Sequence, residues 1–427
     1  MLLRLYRNLT NLGGPVISRW LRRRMAGGKE DPVRYRERFG IAGRSRPSGP
    51  LVWIHAASVG EALSILPLLA RLTEIHPGLS LVLTTGTVSS AQMLAERLPP
   101  GILHQYVPVD RLSYVRRFLD HWRPGLVLLT ESELWPNTLC EIARRTIPLV
   151  LINGRVSDRS FRRWQRVPGT IGTLLRGFSL CLGQSEVDRE RLARLGAPVA
   201  EYLGNLKMAT PPLSVREADL TEWRSLIHSR PVWVAASTHD GEEVLIGRVH
   251  QRLQASHPGL LTLLVPRHPP RGPGIAAELA ALGLTVARRG NGDPLTEATD
   301  IYLADTMGEL GLFYRLAGIA FIGKSLVPFG GQNPLEAARL GCALLFGPHM
   351  SNFADISARM LAKGAAREVA DDTALADALS ELLHHPERRA ALADSALAFV
   401  SAEEDAEILD RILSRLAPFI DRIPGNP

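Results

Sequence analysis

A carboxylate in the first half of the chain stands where group-transfer chemistry is often found, at the turn between a strand and a helix. In HAASVGE, residues 55–61, an apolar run ends at Ala56 and a turn of small residues leads to Glu61. Ser58 and Gly60 let a ligand approach the backbone, and the start of a helix favours anions. Glu61 suits a general base. It suits equally a residue that complements the helix dipole, and the spacing leaves both readings open.

Two further charged segments of the first half follow strand-like runs. In TESELWPN, residues 130–137, Glu131 and Glu133 would face opposite sides of an extended chain. One could face a site while the other caps the helix that Pro136 opens, so two catalytic roles are not expected. Lys207, in GNLKM, follows the strand-like AEYLG. It is either a solvated lysine or a group that neutralises a phosphate or carboxylate.

The second half has two segments suited to a nucleotide. In LLVPRHPPR, residues 263–271, Arg267 directly follows the apolar run that ends at Pro266. An arginine there suits bidentate contact with a phosphate or carboxylate, the alternative being a rigid surface turn. In DTMGEL, residues 305–310, Gly308 allows close approach and Glu309 opens a helix. Asp305 could accept hydrogen bonds from ribose hydroxyls, cap the helix, or do both.

A glycine-rich segment, GKSLVPFGGQNPLEAA, occupies residues 323–338. It lacks the GxxxxGK[ST] spacing of a phosphate-binding P-loop. Gly330 and Gly331 make a flexible turn before a helix that starts near Pro334, and Glu336 lies in its first turn. Helix amides at such a start can meet a phosphate, so the segment is predicted to bind a ligand.

Short apolar runs that alternate with helical stretches predict the elements that position these residues. The predicted strands fall into two sets: 51–56, 79–85, 126–130, 148–153 and 180–183, then 231–237, 260–266, 301–305, 318–323 and 342–347. Near-continuous apolar strands are typical of parallel sheets that are covered on both faces. The sequence therefore predicts an α/β protein with two Rossmann-like domains that face a cleft.

The predicted boundaries give an arm at 1–46, a first domain at 47–212 and a second domain at 213–427. The proline-containing segment 210–223 is interpreted as the linker between the domains. The last helices, 372–415, are expected to complete the second domain, with a return of the final helix to the first domain as the alternative.

The amino-terminal arm carries the basic charge of the chain. Residues 1–46 hold eleven Arg and one Lys but three acidic residues, an excess larger than the net charge of +7 of the whole chain. A charge confined to an arm argues against a nucleic-acid enzyme, whose charge usually lines a groove. Apolar residues recur at helical spacing on one face of this arm: Leu2, Leu5, Leu9, Leu12, Val16 and Trp20.

The longest uncharged run of the arm, residues 8–18, is shorter than the ~20 residues of a spanning helix. Residues 1–25 are therefore predicted to form an amphipathic helix on an anionic membrane surface, kinked or split by Gly13, Gly14 and Pro15. The alternative is a helix packed on the body of the protein. The Arg-rich flanks favour the cytoplasmic face of an inner membrane.

Together these motifs resemble the 3-deoxy-D-manno-octulosonic acid (Kdo) transferases of lipopolysaccharide biosynthesis. The resemblance runs along nearly the whole chain, through RYRERFG, HAASVGE, TTGT, TESELWPN, INGRVSDRS, GNLK, ASTHDGEE, PRHPPR, DTMGEL and GKSLVPFGGQNPLEAA. It implies a GT-B glycosyltransferase that takes CMP-Kdo as donor and a lipid A precursor as acceptor, without a metal or another cofactor. It implies no nucleic-acid partner.

The resemblance also implies roles for individual residues. It makes Glu61 the catalytic base and gives Glu131 and Lys207 supporting roles in the transition state. It assigns CMP binding to the following residues: Pro266, Arg267, Met307, Gly308, Glu309, Asn333, Pro334, Leu335 and Glu336. Gln332 stands where the family commonly has His, a departure that affects the donor contacts.

Two other classes of function share some of these features. Another GT-B nucleotide-sugar transferase or an epimerase would share the fold and the phosphate loops, but not HAASVGE together with TESELWP. A peripheral membrane protein that binds a nucleotide sugar without turning it over is the non-enzymatic alternative. Carboxylates and a lysine at Glu61, Glu131 and Lys207 argue against it.

Overall fold

The computed structural model describes residues 2–400 and 402–425. The chain forms two compact units. The first runs to Thr210 and takes in the chain again from Ala402, and the second begins at Pro211 and comprises the segment between. The boundary between the units thus lies beside the predicted domain boundary at residue 212. The basic arm belongs to the first unit, and so does the segment from Ala402, which was predicted for the second domain.

The first unit is built on a parallel sheet of seven strands in the order β3-β2-β1-β4-β5-β6-β7. Its strands are β1 Leu51–His55, β2 Ser80–Thr85, β3 Leu103–Tyr106, β4 Leu126–Thr130, β5 Leu149–Gly154, β6 Leu180–Gly183 and β7 Ala200–Tyr202. Strands β1, β4, β5 and β6 are buried at every residue. Such strands need helices on both faces of the sheet, as the continuous apolar runs predicted.

Within the part of the chain that the structure describes, nine α-helices of the first unit precede the second unit. They are α1 Leu2–Leu12, α2 Gly14–Ala26, α3 Val59–Ile75, α4 Val88–Arg97, α5 Leu112–Trp122, α6 Pro136–Arg144, α7 Asp158–Gln165, α8 Pro168–Leu175 and α9 Glu186–Leu195. Short 3-10 helices lie at Tyr35–Phe39 and Leu206–Ala209. The core packs helix α5 against the sheet, with the rings of Trp53 and Phe118 4.6 Å apart.

The second unit repeats the plan with seven parallel strands in the order β10-β11-β9-β8-β12-β13-β14. They are β8 Val232–Thr238, β9 Leu261–Pro266, β10 Val286–Arg288, β11 Ile301–Leu303, β12 Ile319–Ile322, β13 Ala343–Phe346 and β14 Arg367–Glu368. The central strands carry the core, in which Trp233 and Phe321 are fully buried. Both sheets therefore fulfil the predicted α/β fold of two Rossmann-like units.

The helices of the second unit cover both faces of its sheet. They are α10 Glu217–Ile227, α11 Glu242–Gln254, α12 Gly272–Ala281, α13 Leu310–Ala317, α14 Leu335–Ala338, α15 Ala354–Ala362, α16 Asp372–His384 and α17 Pro386–Phe399. Helix α10 lies inside the segment predicted as a linker. Its Trp223 is buried and packs edge-on against Tyr302 at 4.8 Å, so residues 217–223 are part of the second unit.

The final helix, α18 Ala402–Ile420, packs on the first unit. Gly204 leaves room for Ile408, because a Cβ at Gly204 would stand 2.6 Å from that side chain. Arg415 pairs with Glu201 on β7. The alternative raised for the final helix, a return to the first unit, is the arrangement found.

The amino-terminal arm uses one side of its helix to pack and leaves the other exposed. Helices α1 and α2 are separated at Gly13, as the Gly-Gly-Pro segment predicted. Tyr6 donates to Asp110 Oδ2 at 3.0 Å, and Asn137 donates to Thr10 Oγ1 at 3.0 Å. The predicted apolar face stays in solvent: Leu2, Leu5, Leu9, Leu12, Val16 and Trp20 are all exposed. Packing on the body and an exposed apolar face are therefore compatible.

Among the helices of residues 2–400 and 402–425, none combines the length and apolar sequence that a bilayer crossing requires.

Candidate active site

The candidate catalytic residues of the first unit lie where its strand order reverses. Strand β1 pairs with β2 on one side and β4 on the other, so the crossover connections leave in opposite directions at the ends of β1 and β4. In open parallel sheets, ligands bind outside the carboxyl ends of strands at such a point. Glu61 follows β1, and Glu131 directly follows β4.

Glu61 forms a variant of the capping box at the start of α3, in which it binds the amide of Ala57, one residue before the N-cap. Ser58 is the N-cap, and its Oγ accepts from the Glu61 amide at 3.3 Å. In return, Glu61 Oε2 accepts from the Ala57 amide at 2.9 Å, and Oε1 accepts from Ser58 Oγ at 2.8 Å. A reciprocal pair of this kind satisfies backbone donors at a helix start. Glu61 therefore stabilises the start of the helix, which is one of the two roles that the sequence left open.

The same carboxylate also has the environment of a base. Glu61 is 8% exposed, and Thr130 Oγ1 at the end of β4 donates to its Oε2 at 2.9 Å. Burial, followed by the charge of Glu131, raises the pKa of Glu61, against the hydrogen bonds from Ala57, Ser58 and Thr130, which lower it. A carboxylate with a raised pKa binds a proton more readily than an ordinary one. Capping and base chemistry are thus compatible at Glu61.

Glu131 and Lys207 form an ion pair next to Glu61. Lys207 Nζ lies 2.6 Å from Glu131 Oε1, with both side chains mostly buried. Glu131 has φ +54°, in the left-handed region that non-glycine residues seldom adopt. Strained backbone of this kind is concentrated at functional sites, where the surrounding structure holds it. The structure therefore brings together Glu61, Glu131 and Lys207, the three residues that the resemblance implies.

Two asparagines fix the segment that carries Lys207. Asn153, at the end of β5, has φ +54° and accepts from the Leu206 amide at 3.0 Å. Asn205 caps the 3-10 helix Leu206–Ala209 and accepts from the Lys207 amide at 3.1 Å. The lysine is held by the fold at the same edge of the sheet as the two glutamates, which argues against a merely solvated side chain.

A second polar pair at this edge was not singled out from the sequence. His55, the last residue of β1, is 2% exposed, and its Nε2 lies 3.7 Å from Glu133 Oε2. Burial opposes ionisation of Glu133, but His55 and Trp135 outweigh it and lower the pKa of Glu133. The signal in the sequence was a histidine that ends an otherwise apolar strand. Glu133 therefore stabilises the loop through His55 and Trp135, while Glu131 faces Lys207.

In the second unit the strand order reverses between β8 and β12. The loop after β12 is organised by Glu242, the first residue of α11, which is fully buried. Its carboxylate accepts from the amides of Ser325 and Leu326 at 2.9 and 3.0 Å and from that of Lys324. It also accepts from His239 N at 2.9 Å. This buried carboxylate is a residue that the sequence analysis did not single out.

Basic side chains surround this loop. Arg267 and His268 are exposed just past β9, and Arg267 N donates to Thr238 O at 2.9 Å. Burial, then the charges of Lys324 and Arg271, lowers the pKa of His239. Burial, then the charge of Arg267, lowers the pKa of His268. The arginine and lysine charges that lower the pKa of these two histidines create a local positive field, which suits an anionic ligand.

The predicted donor segment Met307–Glu309 is only partly available. Met307 is 61% exposed and Gly308 has φ +90°. The Glu309 carboxylate, however, is held by Arg289 Nε at 2.7 Å and by Thr306 Oγ1. Contact with a ligand at this turn would therefore use the backbone and Met307 more readily than the Glu309 carboxylate.

Asp305 has a role other than the two predicted for it, ribose binding and helix capping. It accepts from Arg288 Nη2 at 2.7 Å and from the Gly290 amide at 2.7 Å. It therefore ties β11 to the segment after β10, and does not cap α13, which begins with Glu309 in the N-cap position. The suggestion that it accepts hydrogen bonds from ribose has no support in these contacts.

The glycine-rich segment 323–338 is a tightly built turn. Gly330 and Gly331 have φ +94° and +73°, and a Cβ at Gly331 would stand 2.3 Å from Met350 Sδ. Asn333 Oδ1 accepts from the Leu335 amide at 3.1 Å, and its Nδ2 donates to Glu336 Oε1 at 3.3 Å. Helix α14, which Pro334 precedes, spans four residues. The dipole of so short a helix is weak, so the positive charge at this end of the sheet comes mainly from side chains.

Comparison with known proteins identifies the same family as the motifs of the sequence. The family model of 3-deoxy-D-manno-octulosonic-acid transferase (kdotransferase) matches residues 33–210. The chain is 34% identical to the 3-deoxy-D-manno-octulosonic acid transferase of Rickettsia bellii, over 98% of this chain and 100% of that one. It is 35% identical to the transferase of the same name from Haemophilus influenzae, over 91% and 92% of the two chains.

Among solved structures, a UDP-GlcNAc 2-epimerase from Neisseria meningitidis bound to UDP-GlcNAc aligns with a TM-score of 0.59. The alignment covers 85% of this chain and 100% of that one at 12% identity, so the likeness concerns the fold alone.

Proposed function

Because this chain belongs to the 3-deoxy-D-manno-octulosonic acid transferase family, and is thus a glycosyltransferase, we propose that it transfers Kdo from CMP-Kdo to a lipid A precursor. The proposed step is a direct displacement at the anomeric carbon of the donor. An acceptor hydroxyl oxygen forms the new bond to that carbon as the bond to the CMP phosphate oxygen breaks. The bonding electrons leave with CMP, and the hydroxyl proton passes to Glu61.

The environment of Glu61 is the observation that carries this proposal. Its raised pKa makes it a stronger base than an exposed carboxylate, and its hydrogen bonds fix its direction. Within the described residues, Oε1 accepts one hydrogen bond, from Ser58, and a carboxylate oxygen has two acceptor directions. The other direction is suited to the hydroxyl of an acceptor. General-base assistance of this kind contributes roughly 10²–10⁴ in rate.

The Glu131–Lys207 pair is proposed to act beside the base. Glu131 keeps the pKa of Glu61 raised through its negative charge. Lys207 holds Glu131 in place at 2.6 Å and brings a positive charge to the edge where Kdo must react. Kdo carries a carboxylate, so a fixed lysine can both orient the sugar and offset charge as the donor bond breaks.

The donor nucleotide is proposed to bind at the strand ends of the second unit. Arg267 would contact the phosphate, and the turns at 307–309 and 333–336 would hold the nucleoside. The exposed position of Arg267 and the nearby charge of Lys324, which lowers the pKa of His268 as Arg267 does, support a phosphate there. Charge-assisted hydrogen bonds from arginine to phosphate are about twice as strong as neutral ones. Gln332, partly exposed beside Asn333, lies where it can adjust these contacts.

Incubation of the purified enzyme with CMP-Kdo and a tetra-acylated lipid A precursor, followed by mass spectrometry, tests the function. We expect a product heavier than the precursor by one or more Kdo residues, and inhibition by added CMP but not by UDP. Inhibition by UDP with no Kdo-bearing product would instead favour another nucleotide-sugar enzyme of the same fold.

We further propose that the arm binds the cytoplasmic face of the inner membrane. The six side chains of its predicted apolar face are exposed while the opposite side of α1 packs on the unit, and Arg residues flank the apolar face. The triple variant Leu5→Ser/Leu9→Ser/Leu12→Ser should lose binding to anionic liposomes with an unchanged Tm, because the three side chains are exposed. Tyr6→Phe, which removes the bond to Asp110, serves as control. Equal liposome binding by the triple variant and the wild type would refute the proposal.

A further inference from the structure

A cavity lies beside the catalytic edge of the first unit, and nothing so far assigns it a ligand. Its volume is ≈ 610 Å³, within the range of ~300–1,000 Å³ that is usual for ligand pockets. We call it the α7 cavity, because helix α7 and the loops after β4 and β5 form its walls. Its apolar lining includes Leu134, Trp164, Ile171, Leu175, Leu192 and Leu195.

The floor of the α7 cavity lies against the hydrophobic core of the first unit. Ile171, Leu175 and Leu192 are at most 1% exposed and belong to a hydrophobic core cluster of the unit. The apolar surface open to a ligand therefore comes mainly from the partly exposed Leu134, Trp164 and Val167 above them. Leu134 and Trp164 are partly buried and pack against the same cluster. A floor of branched aliphatic side chains gives no hydrogen bonds to a sugar or a base, so it favours an apolar ligand.

The rim of the α7 cavity has the opposite character. Arg155, Arg163 and Arg166 line it, and Arg163 and Arg166 are exposed. Trp135, 45% exposed, stands among them. An arginine cluster recognises phosphate, and a tryptophan at the edge of an apolar surface suits the boundary between hydrocarbon and water. The complementary ligand therefore has an apolar chain attached to an anionic head.

The α7 cavity borders the loop after β4, which begins with Glu131. The Arg155 amide donates to the Glu131 carbonyl at 3.2 Å, so one rim arginine is bonded to the backbone of the candidate site. Glu133 lines the cavity and lies 3.7 Å from His55, at the end of the strand that leads to Glu61. A head group held at this rim is therefore next to the loop that carries Glu131.

We propose that the α7 cavity binds the acceptor, with one acyl chain against the apolar floor and an acceptor phosphate on the rim arginines. The proposal rests on the proposed function and deepens it, since it assigns the acceptor subsite of the same centre. Binding there places the sugar hydroxyls of the lipid near Glu61. Soluble phosphates would use the rim alone, and uncharged lipids the floor alone, so both should bind more weakly.

Direct binding of the acceptor in detergent, without donor, tests the α7 cavity independently of turnover. Intrinsic tryptophan fluorescence can report it, since Trp135 and Trp164 line the cavity. Each methylene moved into an apolar site changes affinity about fourfold, so removing two carbons from the acyl chains should weaken binding on the order of tenfold. Affinity that is independent of chain length would overturn the proposal.

Charge reversal tests the rim with a matched control pair nearby on α7. Arg163→Glu/Arg166→Glu should raise the KM for the phosphorylated acceptor at least tenfold, with kcat and the KM for the donor unchanged. Arg159→Glu/Arg162→Glu makes the same change of net charge at exposed positions of α7 outside the lining, and should stay within twofold. Equal effects of the two pairs would mean general attraction to anionic lipid and would refute a site at the rim.

A blocking variant tests the floor without a change in the core. Ser160 lines the α7 cavity and is partly exposed, so Ser160→Trp would fill the cavity from the side of α7. We expect this variant to keep its Tm but to bind acceptors of different chain length with equal affinity. If its affinity still depended on chain length, the proposal would be overturned. Binding that depends on acyl-chain length, without Kdo transfer, would uphold the α7 cavity as a lipid site and refute the proposed function. Kdo transfer with binding that does not depend on acyl-chain length would uphold the proposed function and refute the α7 cavity as a lipid site.

Discussion

Glu61 and Glu242 occupy matching places in the two units and have different surroundings. Each follows the first strand of its sheet in chain order, in a segment that reads Ala-Ser and then, after one or three residues, Gly-Glu, and each lies in the first turn of the next helix. Each is buried, and burial is the main cause that raises the pKa of each carboxyl.

The difference lies in the donors that each carboxylate meets. Glu242 accepts hydrogen bonds from four backbone amides, which saturate both oxygens and fold the loop after β12. Glu61 accepts from one amide and two hydroxyls, and it has the charge of Glu131 nearby. A saturated carboxylate holds structure, whereas one held by hydroxyls beside a second carboxylate can exchange a proton. Burial and a raised pKa alone do not identify a base.

The largest effect is expected at Glu61. Glu61→Gln keeps the shape of the side chain and can keep the bonds from Ala57 and Thr130 through its carbonyl oxygen, but it cannot take a proton. We expect kcat to fall by roughly 10²–10⁴ with the Kd for CMP unchanged. Tm should stay level or rise, because a buried charge is removed. Glu61→Ala is a poorer test, since it also removes the capping box, which contributes ~1 kcal/mol.

Near-normal turnover in Glu61→Gln would exclude Glu61 as the base. Both variants are measured under saturating CMP-Kdo and acceptor, so that kcat reports the chemical step rather than binding.

The matching substitution in the second unit, Glu242→Gln, should lower stability and leave kcat nearly unchanged. Each oxygen of Glu242 accepts from two amides, so Glu242→Gln leaves two of the four backbone amides without an acceptor, at a cost of ~1–3 kcal/mol each. At the lower end, a total loss of about 2 kcal/mol, the Tm of the second unit should fall by roughly 4–8 °C in calorimetry. The Kd for CMP should rise because the loop after β12 is released, while kcat at saturation changes little. A Tm equal to that of the wild type would remove the distinction between the two carboxylates.

Arg267 offers a smaller and more local test of the donor side. Arg267→Ala should raise the KM for CMP-Kdo about 10–100-fold, the equivalent of ~1.5–3 kcal/mol for a hydrogen bond to a charged group. Arg248→Ala, on the exposed face of α11, serves as a matched control and should leave that KM unchanged. A similar KM for the two variants would exclude Arg267 from donor binding.

The sequence predicted the interior of both sheets and missed their borders. All ten predicted strands are present, with shifts of a residue or two at their ends, because buried parallel strands are continuous apolar runs. The four strands not predicted as such, β3, β7, β10 and β14, are the edges of the two sheets. Edge strands are partly solvated and short, so they carry no apolar run. Helix α10 was missed for a related reason, since the prolines before it suggested a linker.

The candidate site was predictable where a residue lies at the end of a strand or in the short turn after it, as Glu131, Glu61 and Lys207 do. It was not predictable where the outcome depends on a pairing across the chain. Arg288 and Arg289 occupy the carboxylates of Asp305 and Glu309, which lie 17 and 20 residues further on. Nothing in DTMGEL itself indicates these partners. Likewise, the role of Glu242 depends on a loop more than 80 residues away.

The smallest expected effect, a shift in a pH profile, tests most directly whether the pKa of Glu61 governs turnover. Glu131→Gln removes a negative charge that raises the pKa of Glu61, so that pKa should fall. Since Glu61 must be ionised to act, the acidic limb of kcat/KM should move to lower pH than in the wild type. Glu133→Gln, two residues on and paired with His55, should leave the limb in place. An acidic limb at the same pH in all three enzymes would contradict the assignment of Glu61 as the base.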